Sequence, residues 1–109
     1  MTIDAELLSA AGIAPYEKVL VADISNGERL ETYVIEGPAG SGLVSLNGAA
    51  AKRGNVGDLV IIMAFGLVSE EEIASVAPTV VLLGPGNRIL KVRHSASGRE
   101  DEAQHQTEN

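Results

Sequence analysis

The sequence predicts a mainly β domain, either a closed barrel or a sandwich, on three observations. Short segments rich in β-branched residues follow one another closely, and Gly, Pro, Asn and Ser separate them. Such close spacing favours a barrel or a sandwich over alternating βαβ units. The run VIIMAFG at residues 60–66 is apolar without alternation, which is typical of a strand buried on both faces. In a chain of 109 residues this favours a closed barrel, or an oligomer interface that covers the outer face.

The first predicted element is a short helix. Asp4 can act as its N-cap, residues 5–11 form its body, and Gly12 ends it. Asn26-Gly27 predicts a tight primed turn between the first two strands, because both residues tolerate the positive φ that such a turn requires. Six strands are predicted after the helix: 18–24, 30–35, 42–46, 58–68, 79–83 and 89–93.

Two helical segments are predicted between the strands. One covers residues 48–52, with Asn47 as its N-cap. The other covers residues 69–76, where Ser69 and Glu72 form a capping box. Both are short, so the chain remains mainly β.

The domain is predicted to cover residues 1–94. Residues 95–109 read SASGREDEAQHQTEN and contain no large apolar side chain. Such a segment cannot bury enough apolar surface to fold, so we expect a disordered polar tail without chemistry of its own.

Charge and composition limit the functions open to the chain. The formal net charge is −7, from 15 acidic and 8 basic residues, whereas nucleic-acid binders carry a basic patch, so no nucleic-acid partner is expected. The absence of cysteine excludes a disulfide framework, Cys-ligated zinc and thiol catalysis. The two histidines, His94 and His105, lack ligand spacing, so no metal site is expected. No apolar run reaches the roughly 18 residues of a membrane span, and we expect a soluble, cytoplasmic protein without a membrane partner.

The stretch SNGERLETY at residues 25–33 combines several reactive side chains. Arg29, Thr32 and Tyr33 place a guanidinium, a hydroxyl and a phenol within a few residues of one another. Arg29 and Tyr33 fall on one side of an ideal strand and Thr32 on the other, as they would on an ordinary solvated strand. One residue of irregularity, or two sides of a barrel wall, would bring all three to one site.

The stretch SLNGAAAK at residues 45–52 offers backbone groups instead. Gly48, Ala49 and Ala50 can present N–H groups with no large side chain in the way, which is one way to build a small anion or oxyanion site. The alternative is a tight turn whose alanines pack on a neighbouring strand.

Together these stretches resemble one family. The motif NG-x-R-x-x-TY, the loop GPAGSG, the motif NGAAA and then VGD before an apolar run resemble, in order and spacing, the large α-chain of pyruvoyl-dependent aspartate 1-decarboxylase. The resemblance begins at Thr2-Ile3-Asp4 and runs to about Arg93. It implies a double-psi β-barrel with short helices, assembled as a homotetramer with active sites between subunits. Compared with that fold, this chain would lack the N-terminal strand.

The resemblance also implies an activity. The family converts L-aspartate to β-alanine and CO2 for the synthesis of pantothenate and hence coenzyme A. Its electron sink is a covalent pyruvoyl group, made when a precursor cleaves itself at a Gly-Ser bond, and this group forms a Schiff base with the substrate amine. No added cofactor and no metal are implied.

The site residues follow from the same resemblance. Arg29 matches the position that holds a substrate carboxylate, and Tyr33 matches the position that returns a proton to the α-carbon. Thr32 matches a residue of the self-cleavage step, where its hydroxyl helps to hold the oxyanion. The pocket wall, which contacts the substrate and assists processing, matches four consecutive residues: Asn47, Gly48, Ala49 and Ala50.

The chain departs from the family at its start. The pyruvoyl-forming serine would stand one place before Met1, the upstream β-chain is absent, and no serine of the chain lies at the matching position. We expect that Met1 is an internal valine position and that the complete protein begins upstream of it. The rival hypothesis is that the short form is real. It would then need a separately supplied β-chain, or would be an inactive barrel that acts as a protein-binding or adaptor module.

Overall fold

The structure, a computed structural model, describes residues 1–94. The predicted tail at 95–109 lies outside the described residues. Over residues 1–94 the mainly β prediction is confirmed, with one α-helix, α1 (Ala5–Ala11), and three short 3-10 helices, η1 (Gly48–Arg53), η2 (Ile73–Ser75) and η3 (Pro85–Asn87). Eight strands are present in this part of the chain: β1 Thr2–Asp4, β2 Lys18–Asp23, β3 Arg29–Tyr33, β4 Ile35–Gly37, β5 Val44–Ser45, β6 Val60–Met63, β7 Val80–Leu83 and β8 Ile89–Arg93.

The strands form three small sheets. Their orders are β4-β1-β5, β3-β2-β6 and β7-β8. β1 runs parallel to β4 and antiparallel to β5, and the other pairs are antiparallel. β1 therefore lies at the centre of its sheet, although the sequence analysis predicted no strand there, because three residues are too few to form a periodic pattern.

The core draws on elements from the whole described chain. Val34, between β3 and β4, is fully buried, and each such side chain stabilises the fold by roughly 1.5–3 kcal/mol relative to an exposed one. The other buried apolar residues are Met1, Ile3, Leu7, Leu8, Val19, Val21, Val60, Val81 and Leu83.

The first helix has the predicted bounds. The Asp4 carboxylate accepts a hydrogen bond from the backbone N–H of Glu6 at 2.8 Å, and Gly12 ends the helix in the left-handed region at φ 73°. Leu7 and Leu8 are buried and join the helix to the core. Cap, stop and apolar face all lie within one short segment, which is why the sequence sufficed to predict it.

The predicted primed turn at Asn26-Gly27 is wrong, although the hairpin exists. Gly27 adopts a positive φ of 77°, whereas Asn26 is not among the positive-φ residues. The ladder closes through Asp23 N–H to the Glu28 carbonyl at 2.8 Å. Asp23 also accepts the N–H groups of Ser25 and Asn26, at 2.8 and 3.2 Å, which winds the chain into a longer loop than a two-residue turn.

The predicted strand 58–68 is shorter than expected. It ends at Met63, and Phe65 and Leu67 are largely exposed. Only Val60 of β6 is fully buried in the single chain, whereas Ile61, Ile62 and Met63 are half-buried. Within residues 1–94, β6 pairs on one edge only, with β2, and the last pair of that ladder joins Leu20 to Met63.

The predicted helix at 69–76 is reduced to the 3-10 turn η2. Its capping box does form, with Ser69 N–H donating to Glu72 Oε1 at 3.1 Å and Glu72 N–H donating to Ser69 Oγ at 3.3 Å. Its apolar side chains, such as Ile73, are exposed. A cap alone does not sustain an α-helix that packs against nothing, because nucleation is unfavourable.

Candidate active site

The start of the chain forms the centre of the candidate site. The Met1 amino group donates a hydrogen bond to the Tyr33 carbonyl at 2.8 Å, and Ile35 N–H donates to the Met1 carbonyl at 2.8 Å. These bonds continue the parallel pairing of β1 with β4, in which Thr2 lies opposite Ile35. Desolvation lowers the pKa of the Met1 amino group. The first nitrogen of the chain is thereby fixed beside Tyr33.

Asn47 is joined to the same place. Its amide nitrogen donates to Thr2 Oγ1 at 2.6 Å, and its carbonyl oxygen accepts from Ser45 Oγ at 3.2 Å. Because the side chain is engaged there, it does not cap η1, and the predicted N-cap role of Asn47 is wrong. The structure thus brings Asn47 within one residue of Met1, whose nitrogen contacts Tyr33.

The helical segment predicted at 48–52 is present as the 3-10 helix η1. Gly48 has φ 59°, in the left-handed region where glycine carries no steric penalty. Gly48 and Ala49 are exposed and Ala50 is half-buried, so the backbone there is accessible. Packing of the alanines on a neighbouring strand is limited accordingly.

Tyr33 lies against a second tyrosine that the sequence analysis missed. The ring centroids of Tyr16 and Tyr33 are 6.5 Å apart with the planes tilted by 42°, a geometry in the range of favourable aromatic pairs. Tyr16 has a positive φ of 69°, and its N–H donates to the Val34 carbonyl at 2.7 Å. A positive φ at a tyrosine is uncommon and is not visible in sequence patterns, so no signal pointed to it.

Arg29 and Thr32 occupy other parts of β3. The side chains of the strand alternate as predicted. Arg29 and Tyr33 are exposed on one face, and Thr32 is half-buried on the other face. In the ladder with β2, Thr32 is paired with Val19. Four residues of strand separate the Arg29 and Tyr33 Cα atoms by about 13 Å. Among residues 1–94, the Arg29 guanidinium has no hydrogen bond or ion pair with another side chain. Within a single chain, the hydrogen bonds of Met1 and Thr2 therefore connect Tyr33 and Asn47 to the start of the chain. Arg29 and Thr32 have no hydrogen bond to these first residues among those described.

The glycine-rich loop between β4 and β5 is held by Asp4, which the sequence analysis identified only as a helix cap. Asp4 is 3% exposed and accepts N–H groups from Gly40 at 3.0 Å and Gly42 at 2.8 Å. Burial acts to raise the pKa of Asp4, but the bonds from Gly42, Glu6 and Gly40 outweigh it and hold the pKa below its usual value. The carboxylate thus fixes the chain on the approach to β5 and Asn47.

Two further features of the described residues concern ligands and membranes. In residues 1–94 no group of three or more His, Asp or Glu side chains is arranged to hold a metal ion. None of the helices in the same part of the chain has the length and apolar character needed to cross a membrane.

Comparison with known proteins identifies the family. The family model for aspartate decarboxylase matches residues 1–90. The chain belongs to the aspartate decarboxylase family. All the candidate site residues lie inside the matched range. The family is pyruvoyl-dependent in general and has a barrel fold, and the small sheets of short strands seen here agree with that fold.

Curated relatives in the aspartate decarboxylase family are similar over most of the chain. The aspartate 1-decarboxylase of Desulfotalea psychrophila is 52% identical over 92 residues, which cover 84% of this chain and 77% of that protein. The enzyme of the same name from Carboxydothermus hydrogenoformans is 54% identical over 93 residues, or 85% of this chain and 73% of that protein. That of Dehalococcoides mccartyi is 50% identical over 99 residues, or 91% and 80%.

Proposed function

We propose that this protein is an aspartate 1-decarboxylase that converts L-aspartate to β-alanine and CO2 for the synthesis of pantothenate and coenzyme A. The observation that carries the proposal is the family match over residues 1–90, which contain every candidate site residue. Residues 1–94 would form the catalytic domain, acting in the cytoplasm. The hydrogen bonds that connect Tyr33 and Asn47 to Met1 and Thr2 support an active site at the start of the chain.

The Met1 nitrogen fits the attachment point of a pyruvoyl group. Its hydrogen bond to the Tyr33 carbonyl is one that an amide N–H at the same position also makes, so acylation of this nitrogen leaves the strand pairing intact. When bound, the group supplies a carbonyl that withdraws the electrons left by a departing carboxylate. We propose that it is generated from a serine that precedes Met1 in the complete protein.

Arg29 is proposed to bind a carboxylate of the substrate. Its guanidinium is exposed and, within residues 1–94, not engaged by another side chain, so it does not have to exchange an existing partner. A planar guanidinium binds a carboxylate through two parallel hydrogen bonds, which fixes orientation as well as charge.

Tyr33 is proposed to return a proton to the α-carbon after CO2 has left. The Tyr33 backbone carbonyl accepts a hydrogen bond from the Met1 amino group, which supports a place for this residue beside the proposed attachment point of the pyruvoyl group. The Tyr33 ring is half exposed, and its centroid lies 6.5 Å from that of the Tyr16 ring. Such proton transfer contributes about 10²–10⁴-fold to rate in other enzymes.

Thr32 and Asn47 are proposed to act in self-processing, and the wall from Gly48 to Ala50 in substrate contact. The Asn47 amide donates to Thr2, which lies two residues after the position of the pyruvoyl-forming serine, and this supports a role for Asn47 near the self-cleavage step. The exposed backbone of Gly48 and Ala49 is accessible to a substrate oxygen.

The active form is proposed to be a homotetramer with active sites between subunits. The exposed apolar residues Phe65, Leu67 and Ile73 offer a surface for contacts between subunits. Native mass spectrometry tests the assembly, and a purely monomeric active enzyme would contradict it.

The family's β-chain is proposed to occupy the groove between β6 and β7. A cavity of about 670 Å³ lies there, lined by apolar side chains of α1 and of both strands. In residues 1–94 each of these strands is paired on one edge only. An extended segment could pair with the free edges and cover the apolar floor. A synthetic peptide of the N-terminal segment of the Desulfotalea psychrophila relative is the probe, and no binding by calorimetry would contradict this part.

The reaction is tested with the complete, self-processed protein by measuring β-alanine formed from L-aspartate. Arg29→Lys should lower kcat/KM about 10–100-fold, because the bidentate interaction is lost while the charge remains. Arg88→Lys is the matched control, since Arg88 is also exposed but lies before β8, and its activity should be unchanged. Absence of β-alanine with the processed protein would contradict the function, and equal activity of the two variants would contradict the role of Arg29.

The role of Tyr33 is tested by a second pair of variants. Tyr33→Phe should process itself normally yet lower kcat by about 10²-fold or more, because only the acidic proton is removed. Tyr16→Phe keeps the ring contact and should remain close to the parent enzyme. Full activity of Tyr33→Phe would exclude it as the proton donor.

A further inference from the structure

A buried carboxyl group lies outside the residues used so far. Asp23 ends β2 and is 5% exposed. Its Oδ1 atom accepts the N–H groups of Ser25 and Asn26, but its Oδ2 atom is fully buried and receives no N–H or O–H from the described residues. A buried carboxylate oxygen without a donor is costly, so this atom requires an explanation.

A second carboxyl group approaches this orphan oxygen. Asp58 Oδ2 accepts Asn55 N–H at 2.9 Å, which turns the Asp58 side chain back toward Gly54. A Cβ built on Gly54 would lie 3.1 Å from Asp23 Oδ2 and 3.6 Å from Asp58 Oδ2, so both oxygens face the same point. Both carboxyls thus line the same narrow space beside Gly54, where a hydrogen bond between them would satisfy the buried Asp23 oxygen. Two ionised carboxylates cannot form that bond, since neither carries a hydrogen.

We propose that Asp23 and Asp58 share one proton, and that this acid–carboxylate hydrogen bond latches the β2–β3 hairpin loop to the segment after η1, thereby positioning Arg29. Asp23 is the protonated member, because it is the buried one and its Oδ2 atom receives no N–H from the described residues. The importance for catalysis rests on the proposed function of Arg29, whereas the shared proton does not.

The contacts around the pair connect it to Arg29. Asn26 Nδ2 donates to the Arg53 carbonyl at 3.0 Å, and the Arg53 guanidinium donates to the Arg29 carbonyl at 3.3 Å. Arg53 also forms an ion pair with Glu28 at 3.1 Å. The charged groups of the two facing segments are Asp23, Glu28 and Arg29 on the hairpin, and Lys52, Arg53 and Asp58 opposite. The Arg53 guanidinium bonds to Glu28 and to the Arg29 carbonyl.

The two carboxyls respond to their surroundings in opposite directions. Burial, together with the bond to Asp58 and its charge, raises the pKa of Asp23 against the opposing bonds from Ser25 and Asn26. The Asn55 N–H and the bond from Asp23 lower the pKa of Asp58. The stability that Asp23 contributes is complete below its ordinary pKa and is lost as the pH rises through its raised folded value. Above that pH the two negative charges repel and the latch opens.

The test is an NMR titration of protein labelled with ¹³C at the aspartate carboxyls and ¹⁵N at the arginines. One carboxyl should titrate above the ordinary range of aspartate, and the Arg29 Nε resonance should shift with the same midpoint. In Asp23→Asn both changes should disappear, because the amide donates permanently to Asp58. In Asp58→Asn the Asp23 titration should move to lower pH, since a donor replaces the charged acceptor.

The NMR outcomes separate the parts of the proposal, and they do not require turnover. If no carboxyl of the parent protein titrates above the ordinary range, proton sharing is refuted. If one does but the Arg29 resonance stays constant, the latch exists and does not position Arg29. In the active enzyme, KM for aspartate should rise through the same midpoint in the parent and stay flat in Asp23→Asn. Asp23→Ala should raise KM at every pH because it removes the hydrogen bond to Asp58. Asp23→Asn restores that bond and should therefore not show this increase.

Discussion

Replacement of Asp4 by asparagine is the change with the sharpest expected effect on stability. Asp4 is buried and accepts three backbone N–H groups, from Glu6 and Gly42 at 2.8 Å and from Gly40 at 3.0 Å. Asparagine is as good an N-cap as aspartate, so α1 should keep its cap. The loss of stability should therefore arise in the loop between β4 and β5. There the new amide N–H₂ group of the Asp4→Asn side chain would face the Gly42 N–H, and two donors cannot form a hydrogen bond.

The magnitude follows from these bonds. A hydrogen bond to a charged group contributes about 1.5–3 kcal/mol, and Asp4→Asn removes one and weakens two by removing the charge. We expect the free energy of unfolding at pH 7 to fall by about 2–4 kcal/mol. Glu36→Gln, at an exposed carboxylate on β4 of the same sheet, is the matched control and should change it by less than about 0.5 kcal/mol.

The assay is urea unfolding followed by circular dichroism, at one fixed protein concentration because assembly would otherwise contribute. The difference in stability between the parent and the variant should also depend on pH, since the bonds from the N–H groups hold the pKa of Asp4 below its usual value despite burial. The stabilisation by the ionised carboxylate is complete above the ordinary aspartate pKa and is lost as the pH falls through the lower folded pKa. The parent and Asp4→Asn should therefore converge in acid. An Asn variant within 0.5 kcal/mol of the parent at pH 7 would refute this account of the loop.

Two further predictions use the same unfolding assay. Val34→Ala, at a fully buried position, should lose about 2–3 kcal/mol through lost burial and a cavity, whereas Val56→Ala at a fully exposed position should lose almost nothing. Gly42→Ala should cost more than Gly57→Ala, because both have positive φ but only the first would place a Cβ 2.5 Å from the Gly86 carbonyl oxygen. The second variant measures backbone strain alone, expected at about 1–2 kcal/mol, and equal losses would show that the close contact relaxes freely.

The parts of the fold that the sequence predicted are those decided locally. α1 was predicted with its bounds because the Asp4 cap, the buried Leu7 and Leu8 and the left-handed Gly12 lie in one segment. The capping box of Ser69 and Glu72 was also predicted, yet the helix after it was not realised. Its cap is local, whereas the packing surface that a helix needs is not.

The prediction was wrong where apolar residues are not buried in this chain. Residues 64–68 continue the apolar run of β6, yet the ladder with β2 ends at Met63, and Phe65 and Leu67 are exposed. A hydrophobic pattern indicates that a surface is to be covered, without indicating which chain covers it. The same limit applies to the groove between β6 and β7.

For the candidate site, the sequence predicted which side of the strand each residue occupies, but not the contacts that the side chains make. The alternation of Arg29, Thr32 and Tyr33 was predicted correctly, because it depends only on strand geometry. Asn47 was assigned to the helix that follows it, but its side chain bonds to Thr2. The approach of Asp23 to Asp58 gave no sequence signal, since each lies in an ordinary turn motif.

The site is built by contacts between the first residues and much later ones. The bond from Met1 to Tyr33 spans 32 residues, those from Gly40 and Gly42 to Asp4 span 36 and 38, and that from Asn47 to Thr2 spans 45. All of them converge on β1, a three-residue strand that could not hold its place alone. Bonds of such long sequence separation form only after the intervening loops have closed, at an entropic cost. Correct placement of the Met1 nitrogen therefore depends on a largely completed fold, so a self-processing step at the residue before it should follow folding of the domain.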